Sequence, residues 1–410
     1  MDESVREAII KAKRKLRGAG VNLKSAFERV DDYIKYEADR IQKKIASGQA
    51  VLPEVSYESV KNGTVTQAQK DAIRHRGFGV VRGVYSEAQA SEWNDEIGAY
   101  IDRNDYFAKA EAKRGLDKYF SGLADAKPQI FGIYWSKPQI NARQGESMAA
   151  TKRFMNNLWD VNGPDGQEFD PDNDYAYADR TRRRRPGDKT LGLSPHMDSG
   201  SFERWTDPAY QKIYGKVFSG NWEEYDPWKA ANRTKTVEYV SPSVCSAFRT
   251  FQGWTALTTQ GPNNGTLRVA PVSKGIAYML LRALQDDVAE DDLCGAEPGR
   301  ALSVKAEWHP SLLACQVPIP LMQPGDTVWW HPDTLHAVES EHNGTGYSNV
   351  IYIGATPRCE KNRIYAEKQA KAFLAGKSAP DFSPEDYEMD FDGRATINDL
   401  TALGRAQMAL

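Results

Sequence analysis

Residues 193–205 read LSPHMDSGSFERW, and this stretch does most to decide the fold. Only six histidines occur in the chain, and one of them, His196, stands two residues before Asp198, between a proline and a Ser-Gly-Ser turn. In an extended strand, residues i and i+2 project to the same face. His196 and Asp198 can therefore direct an imidazole and a carboxylate towards one point, although a hydrogen-bonded polar loop is an alternative interpretation.

A metal site would need a third ligand from elsewhere in the chain. Residues 323–340, QPGDTVWWHPDTLHAVES, contain a turn, an apolar strand and two further histidines, His331 and His336. Two histidines and one carboxylate on one face leave three coordination positions open and suit non-haem Fe(II). Three of the six histidines thus occur in the two segments that such a site requires, which favours the metal site over the polar loop.

The segment around His196 lies within a region rich in short predicted strands. Between residues 128 and 358, apolar β-type segments such as FRTFQGWTALTTQ, DTVWWHP and SNVIYIGATP alternate with long polar loops that contain proline and glycine. This pattern suits an antiparallel barrel or double-stranded β-helix better than a βαβ fold. We predict an α+β fold with a mainly β core, a jelly-roll or cupin-like double-stranded β-helix, surrounded by N- and C-terminal helices.

The predicted domain organisation follows from the helical segments on either side of this core. Apolar residues recur at helical spacing over residues 1–50, which indicates amphipathic helices. We expect an N-terminal helical extension over 1–65 and a single domain over 66–410. Within that domain, the β-helix core spans about 128–358 and a helical tail spans about 360–410. Ser86 is predicted to cap a helix that follows the strand FGVVRGVY.

Composition excludes several classes of partner. The 410 residues carry a net charge of −3, which gives no electrostatic reason to expect nucleic acid or a membrane surface. The four cysteines form no Cys-x-x-Cys motif, and the chain contains no long apolar stretch, so a cytoplasmic location is expected. The basic run RTRRRRPGDK, 180–189, is interpreted chiefly as a solvated face. The oligomeric state is not predicted.

Several motifs together carry a resemblance to a known superfamily. His-x-Asp, GWTAL, NNGTLRVAPVSK and PGD before a distal histidine resemble the phytanoyl-CoA-hydroxylase-like branch of the 2-oxoglutarate/Fe(II) dioxygenases. A bacterial and fungal family known as a domain of unknown function is more similar still, and includes fungal amino-acid oxygenases that form aziridine rings. YWSKPQ, YADR, NWEEYDPW, FRTFQGW, WWHPDTLHAVE and YSNVIYIGATP resemble its pattern, from about residue 70 to about residue 390.

The resemblance implies both a metal centre and a reaction class. Its pattern places the distal ligand at His336, so His196, Asp198 and His336 are the expected iron ligands and catalytic residues. The implied cofactors are Fe(II) and 2-oxoglutarate. The implied reaction uses O₂ and couples 2-oxoglutarate decarboxylation to C–H oxidation of a small, amino-acid-like substrate. The outcome of that oxidation, whether hydroxylation, desaturation or cyclisation, is left open.

The cation that anchors 2-oxoglutarate is less clearly marked. Most members of the superfamily carry an arginine shortly after the distal histidine, but here that region reads HNGTGYSNVIY. Arg249 is the first candidate, since a planar guanidinium matches a carboxylate, and Ser348 is expected to add a hydroxyl hydrogen bond. Arg268 and Arg358 are weaker alternatives, and Arg249 can equally be a structural ion-pair partner.

Other polar residues are candidates for supporting roles. His331 is expected to support the ligands or face the substrate rather than bind the metal. Tyr134, Gln139 and Arg180 are candidates to line the pocket, and Arg204 is expected to pair with Glu203 at its entrance. Two other functions remain open: a cupin-type metal enzyme that does not use 2-oxoglutarate, and a non-catalytic jelly-roll binding protein.

Overall fold

A computed structural model describes residues 2–113, 128–190, 194–242 and 244–410, in which helices and strands are mixed in an α+β fold. The helices are α1 Glu3–Arg17, α2 Leu23–Ala46, α3 Tyr57–Lys61, α4 Gln67–Arg76, α5 Glu87–Arg103, α6 Tyr106–Ala112, α7 Lys137–Gln144, α8 Glu146–Asn156, α9 Glu203–Thr206, α10 Pro208–Ile213, α11 Gly215–Phe218, α12 Gly275–Arg282, α13 Pro310–Leu313, α14 Glu360–Ala375 and α15 Ala402–Gln407. The strands are β1 Glu54–Ser56, β2 Phe78–Arg82, β3 Ile130–Phe131, β4 Asn162–Gly163, β5 Gly166–Gln167, β6 Asp170–Tyr175, β7 Thr181–Arg184, β8 His196–Met197, β9 Phe251–Ala256, β10 Leu267–Val269, β11 Leu302–Ser303, β12 Val317–Pro318, β13 Thr327–Trp330, β14 His336–Val338 and β15 Ser348–Arg358.

Two sheets form the β core of the described chain. The larger sheet has the order β1-β2-β13-β9-β15-β7-β3, with β6 also paired to β15, and the smaller has the order β11-β8-β14-β10-β12. Strands β7, β9, β13 and β15 belong to the larger sheet, and the strands between them in sequence, β8, β10, β11, β12 and β14, belong to the smaller one. The chain therefore crosses repeatedly from one sheet to the other.

The two adjacent tryptophans of β13 show how the larger sheet divides its apolar residues. Successive strand residues point to opposite faces. Trp329 accordingly joins the apolar cluster on one face, and Trp330 joins the cluster that faces the smaller sheet. Trp330 lies beside Gln252 of β9, and Trp254 of the same strand lies beside Tyr352 of β15. These four side chains form one wall of a cavity between the sheets.

The N-terminal helices pack directly on this core. Ile9 of α1 and Ile34 of α2 are fully buried in the same apolar cluster as Met197 of β8. Lys13 donates hydrogen bonds to three backbone carbonyls, those of residues 288, 289 and 292. The predicted division at residue 65 stays a prediction, but β1 on its N-terminal side pairs in parallel with β2 in the larger sheet.

Individual elements agree with the sequence patterns to different degrees. Ser86 caps α5 as predicted, because its side chain accepts a hydrogen bond from the backbone N–H of Gln89. The prediction of a solvated face for residues 180–189 was wrong at Arg182 and Arg184, which are buried in β7.

None of the described helices is both long enough and apolar enough to cross a membrane.

Candidate metal centre

Three predicted ligands converge at two neighbouring inner strands of the smaller sheet. His196 of β8 and His336 of β14 are directly opposite each other in an antiparallel pair. Asp198 follows β8, and its two carboxylate oxygens lie 3.7 Å from Nε2 of His196 and 3.3 Å from Nε2 of His336. One ligand atom from each residue lies within 4.8 Å of the others. When donor atoms each lie about 2.1 Å from one ion, neighbouring donors lie about 3 Å apart. The ligand atoms of the triad are somewhat further apart than this, so a small movement of the three side chains towards each other would let them bind one metal.

Backbone carbonyls orient both imidazoles. Nδ1 of His196 lies 2.6 Å from the carbonyl oxygen of Ser194, and Nδ1 of His336 lies 3.3 Å from that of Thr334. Each Nδ1 can therefore carry the proton and donate it to the carbonyl, which leaves the Nε2 lone pair free for a metal. Both Nε2 atoms face Asp198.

The ionisation of these groups also suits metal binding. Burial, reinforced by the neighbouring His336, lowers the pKa of His196 to about 4, so this imidazole is neutral at pH 7. Burial alone would raise the pKa of Asp198, but His336 and His196 hold it well below the usual range. A neutral imidazole and an ionised carboxylate are the forms that bind divalent metals.

The turn after Asp198 depends on local backbone geometry. Ser199 and Gly200 both have positive φ, at 67° and 90°, and the hydroxyl of Tyr210 donates to the Ser199 carbonyl. A Cβ at position 200 would lie 2.9 Å from that hydroxyl, so glycine is required there. The Ser-Gly-Ser sequence thus turns the chain sharply from β8 into α9.

A buried ion network joins the two segments that carry the ligands. Arg204 donates to the backbone carbonyls of Asp198 and Gly200 and forms a 2.6 Å salt bridge with Asp333. Asp333 also pairs with Arg233 at 2.9 Å. Burial alone would raise the pKa of Asp333, but the two guanidiniums hold it far below its usual range. We name Arg204, Asp333 and Arg233 the carboxylate clamp. The predicted partner of Arg204 was wrong, since Glu203 accepts from two backbone N–H groups instead.

His331 lies in a packed aromatic environment. Its ring stacks on Trp159 with centroids 4.8 Å apart, its Nε2 lies 3.0 Å from the Pro227 carbonyl, and its Nδ1 accepts from the Asp333 N–H. It is absent from the cavity wall in the described chain. The substrate-facing option for His331 is therefore corrected: the residue supports the loop that carries Asp333.

The other predicted pocket residues divide between the wall and the core. Arg180 lines the cavity, with its guanidinium 4.6 Å from the ring of Phe382. Tyr134 is buried in an apolar cluster, and the Gln139 side chain donates to the backbone carbonyls of Ile133 and Asp179. Neither of the latter two reaches the cavity wall in the described chain, so the proposed lining role is corrected for both.

The cavity beside the triad measures about 150 Å³, comparable to a site that holds a benzene-sized molecule. Two buried arginines line it, Arg182 and Arg249, while Arg268 and Arg358 do not. Arg182 is opposite Val350 in the pairing of β7 with β15, and its Nη2 lies 3.3 Å from the hydroxyl of Ser348. Arg249 instead contacts Gly354 of the same strand. The two predicted anchors, Arg249 and Ser348, therefore lie at separate places.

Sequence reasoning missed Arg182, and the strand period was the signal that could have found it. Alternate residues of a strand share a face, so Arg182 and Arg184 point inward together. Arg184 donates to four backbone carbonyls. Arg182 makes only the hydrogen bond to Ser348 in the described chain, and its Nε is buried without a partner.

The described fold and site define a mixed α+β protein with a His-Asp-His group suited to a metal ion beside a cavity. The chain belongs to the Gig2-like family, whose model matches residues 3–410. The YbiU protein of Escherichia coli K12 is 43% identical over 406 residues, which cover 98% of this chain and 96% of YbiU.

Solved structures of relatives have the same fold. A provisionally named oxidoreductase from Salmonella typhimurium LT2 has a TM-score of 0.94 at 41% identity, covering 100% of this chain and 98% of its own. The JW0805 protein of Escherichia coli has a TM-score of 0.90 at the same identity and coverage. The GlcNAc-inducible Gig2 protein of Candida albicans has a TM-score of 0.77 at 28% identity, covering 98% of this chain and 88% of its own.

Proposed function

We propose that the protein is a non-haem Fe(II)- and 2-oxoglutarate-dependent oxygenase that acts on a small substrate. The observation that carries this proposal is the convergence of His196, Asp198 and His336 beside a cavity that also contains the buried Arg182. Two histidines and one carboxylate are the donor set of non-haem Fe(II) oxygenases, and they leave positions open for a co-substrate and O₂. The oxidoreductase name given to the Salmonella relative agrees with this class.

The arrangement of the strands supports the same class. We infer that the two sheets form a double-stranded β-helix, because the chain passes back and forth between them from β7 to β15, although the successive strands β10, β11 and β12 all belong to the smaller sheet. This alternation brings β8 and β14, distant in sequence, side by side at the metal centre. Because other chemistries also use such folds, the proposal depends on the site rather than on the fold.

Arg182 is the proposed anchor for 2-oxoglutarate. The keto-acid end of this diacid chelates iron in such enzymes, and its far carboxylate needs a cation. Arg182 is 3% exposed, lines the cavity and has no carboxylate partner in the described chain. Ser348, which holds its guanidinium, is itself held by a 2.6 Å hydrogen bond to Gln260. Arg182 thus replaces Arg249 in this role. Ser348 is absent from the cavity wall of the described chain, so in place of the predicted direct hydrogen bond it would act only by holding Arg182.

The remaining residues of the site would bind, orient and exclude water. Bound Fe(II), 2-oxoglutarate and O₂ together supply the oxidising power to remove hydrogen from a substrate C–H bond. The carboxylate clamp fixes the Asp198 backbone, and the carbonyls of Ser194 and Thr334 keep the Nε2 atoms of the imidazoles directed inward. Trp254 and Trp330 supply an apolar wall that keeps water from the reacting bond.

The proposal is tested by succinate release from 2-oxoglutarate with Fe(II) in air. We expect turnover by the wild type, loss of bound iron in His196→Ala, and at least a tenfold rise in the Kd for 2-oxoglutarate in Arg182→Gln, because a buried charge-assisted carboxylate contact is lost. Arg182→Lys should recover part of the affinity. Iron binding without 2-oxoglutarate binding would favour the cupin-type enzyme instead, and absence of both would favour a non-catalytic binding protein.

A further inference from the structure

The cavity contains a second buried cation that the proposed co-substrate does not use. Arg249 is 9% exposed and lines the cavity together with Cys245 and Tyr177. Its guanidinium lies 4.9 Å from the centre of the Tyr177 ring. In the described part of the chain it forms no salt bridge and no hydrogen bond, and its Nε is buried without a partner.

The nearby carboxylates are already engaged. Asp381 accepts hydrogen bonds from the hydroxyls of Ser246 and Tyr177 and from the Ser246 N–H. Asp179 accepts from the Arg180 N–H at 2.7 Å, and Asp198 belongs to the metal centre. A buried charge without a partner is costly to maintain. The described part of the protein therefore supplies no anion to pair with the Arg249 guanidinium.

Arg182 and Arg249 approach strand β15 at well-separated places. Arg182 contacts Ser348 at the start of β15, whereas a Cβ at Gly354 would lie 3.2 Å from Cδ of Arg249. Six residues of an extended strand separate these two points, a distance of about 20 Å. If one guanidinium binds the far carboxylate of 2-oxoglutarate, the other remains available to a different molecule.

We infer that Arg249 binds the carboxylate of the primary substrate, which is a small organic acid. A planar guanidinium on an aromatic ring suits two parallel hydrogen bonds to a carboxylate. The cavity volume of about 150 Å³ favours a small acid over a large one. Val244, Ile353 and Phe382 of the same cavity supply apolar contacts for its carbon chain. Arg249 would thereby direct the opposite, C–H-bearing end of the acid away from its own guanidinium and towards the triad.

Arg249 and the triad share one cavity, because His196, Asp198 and His336 form part of the same wall. An acid held by Arg249 is thus close to the candidate metal centre rather than at a remote surface.

The inference rests on the proposed function, and its test separates the two. The probes are straight-chain carboxylic acids of four to six carbons and their primary amides. Binding is measured by calorimetry on protein loaded with Mn(II), first with and then without saturating 2-oxoglutarate. Arg249→Gln is compared with Arg182→Gln and with Arg300→Gln. Arg300 lines the same cavity but pairs with Glu297 and has a side chain 60% exposed.

We expect the wild type and Arg300→Gln to bind the acids at least tenfold more tightly than the amides. Arg249→Gln should lose this preference while its Kd for 2-oxoglutarate stays unchanged. Arg249→Lys, which keeps the charge, should retain part of the preference for acids. This variant still provides the test if the glutamine variant is unstable. Acids that bind no better than amides, or not at all, would overturn the inference. So would an Arg249→Gln variant that loses 2-oxoglutarate instead.

Failure of the proposed function gives a different result. In that case 2-oxoglutarate fails to bind the wild type, while the acid and amide titrations with Mn(II) alone still report on Arg249. Loss of the acid preference in Arg249→Gln under those conditions supports an organic-acid site in a protein that is not a 2-oxoglutarate enzyme.

Discussion

At the scale of single residues, His331 and His336 are close in sequence but differ in the partners of their ring nitrogens. Both nitrogens of His331 face backbone groups, the Pro227 carbonyl and the Asp333 N–H. His336 has one backbone contact, to the Thr334 carbonyl, and its Nε2 faces Asp198. The number of unused nitrogens, rather than the spacing of the histidines, favours His336 over His331 as the proposed metal ligand.

This difference gives a matched pair of variants. We expect His336→Ala to lose bound iron, because one of three donors is removed. His331→Ala should keep its iron but lower the free energy of unfolding by about 1–3 kcal/mol, because buried hydrogen bonds are left without a partner. Metal analysis and urea unfolding measure the two effects. If the His331 variant lost its iron and the His336 variant kept it, the assignment of the ligand would be wrong.

At the scale of elements, the position of the metal centre depends on how two short strands are joined. Strand β8 has only two residues and β14 only three, so their own backbone pairing contributes little rigidity. The carboxylate clamp adds a direct link, because Asp333 precedes β14 and Arg204 holds the backbone after β8. The clamp therefore fixes the distance between ligands from two separate strands.

Removal of the clamp carboxylate should have a large effect. In Asp333→Ala, Arg204 and Arg233 become buried charges without their common partner, and we expect a loss of about 3–5 kcal/mol in the free energy of unfolding. Iron affinity should fall as well, since Asp198 is no longer held. Asp165→Ala is the control, because the salt bridge between Asp165 and Lys235 lies on the surface. Loss of this salt bridge should leave the urea midpoint of unfolding unchanged. Equal midpoints for the two variants would contradict a structural role for the clamp.

At the scale of the whole molecule, the N-terminal helices belong to the core that supports the metal centre. The apolar residues of α1 and α2 share one buried cluster with Met197, the residue between His196 and Asp198. Helix α2 also packs on α12 and α13, which lie in the loops of the β region. The sequence pattern predicts amphipathic helices here, but it does not show which surface they cover.

Two residues of α2 test this packing. Ile34 is fully buried, whereas Tyr36 is 60% exposed. We expect Ile34→Ala to lower the free energy of unfolding by about 2–5 kcal/mol, because a cavity is created in the core, and Tyr36→Ala to have little effect. Chemical unfolding followed by tryptophan fluorescence measures both, since Trp205 lies in the same cluster. A mild effect of Ile34→Ala would mean that these helices pack loosely on the core.

The sequence by itself determined the elements whose signals are local. The Ser86 cap, the helical period of residues 1–50 and the separation of Trp329 and Trp330 onto two faces follow from helix and strand geometry. The pairing of His196 with Asp198 on one side of the chain belongs to this group, because neighbours two residues apart share a face in a strand.

Only the tertiary structure decided which distant side chains meet, and which charges remain without partners. Arg182, Arg184 and Arg249 look alike in the sequence, yet Arg184 donates hydrogen bonds to backbone carbonyls while the other two face a cavity. Asp333 likewise gains its role from two arginines far from it in sequence. Burial and partner geometry are set by the packing of remote segments, so the strand period can mark Arg182 and Arg184 as inward-facing but cannot show which of them lacks a partner.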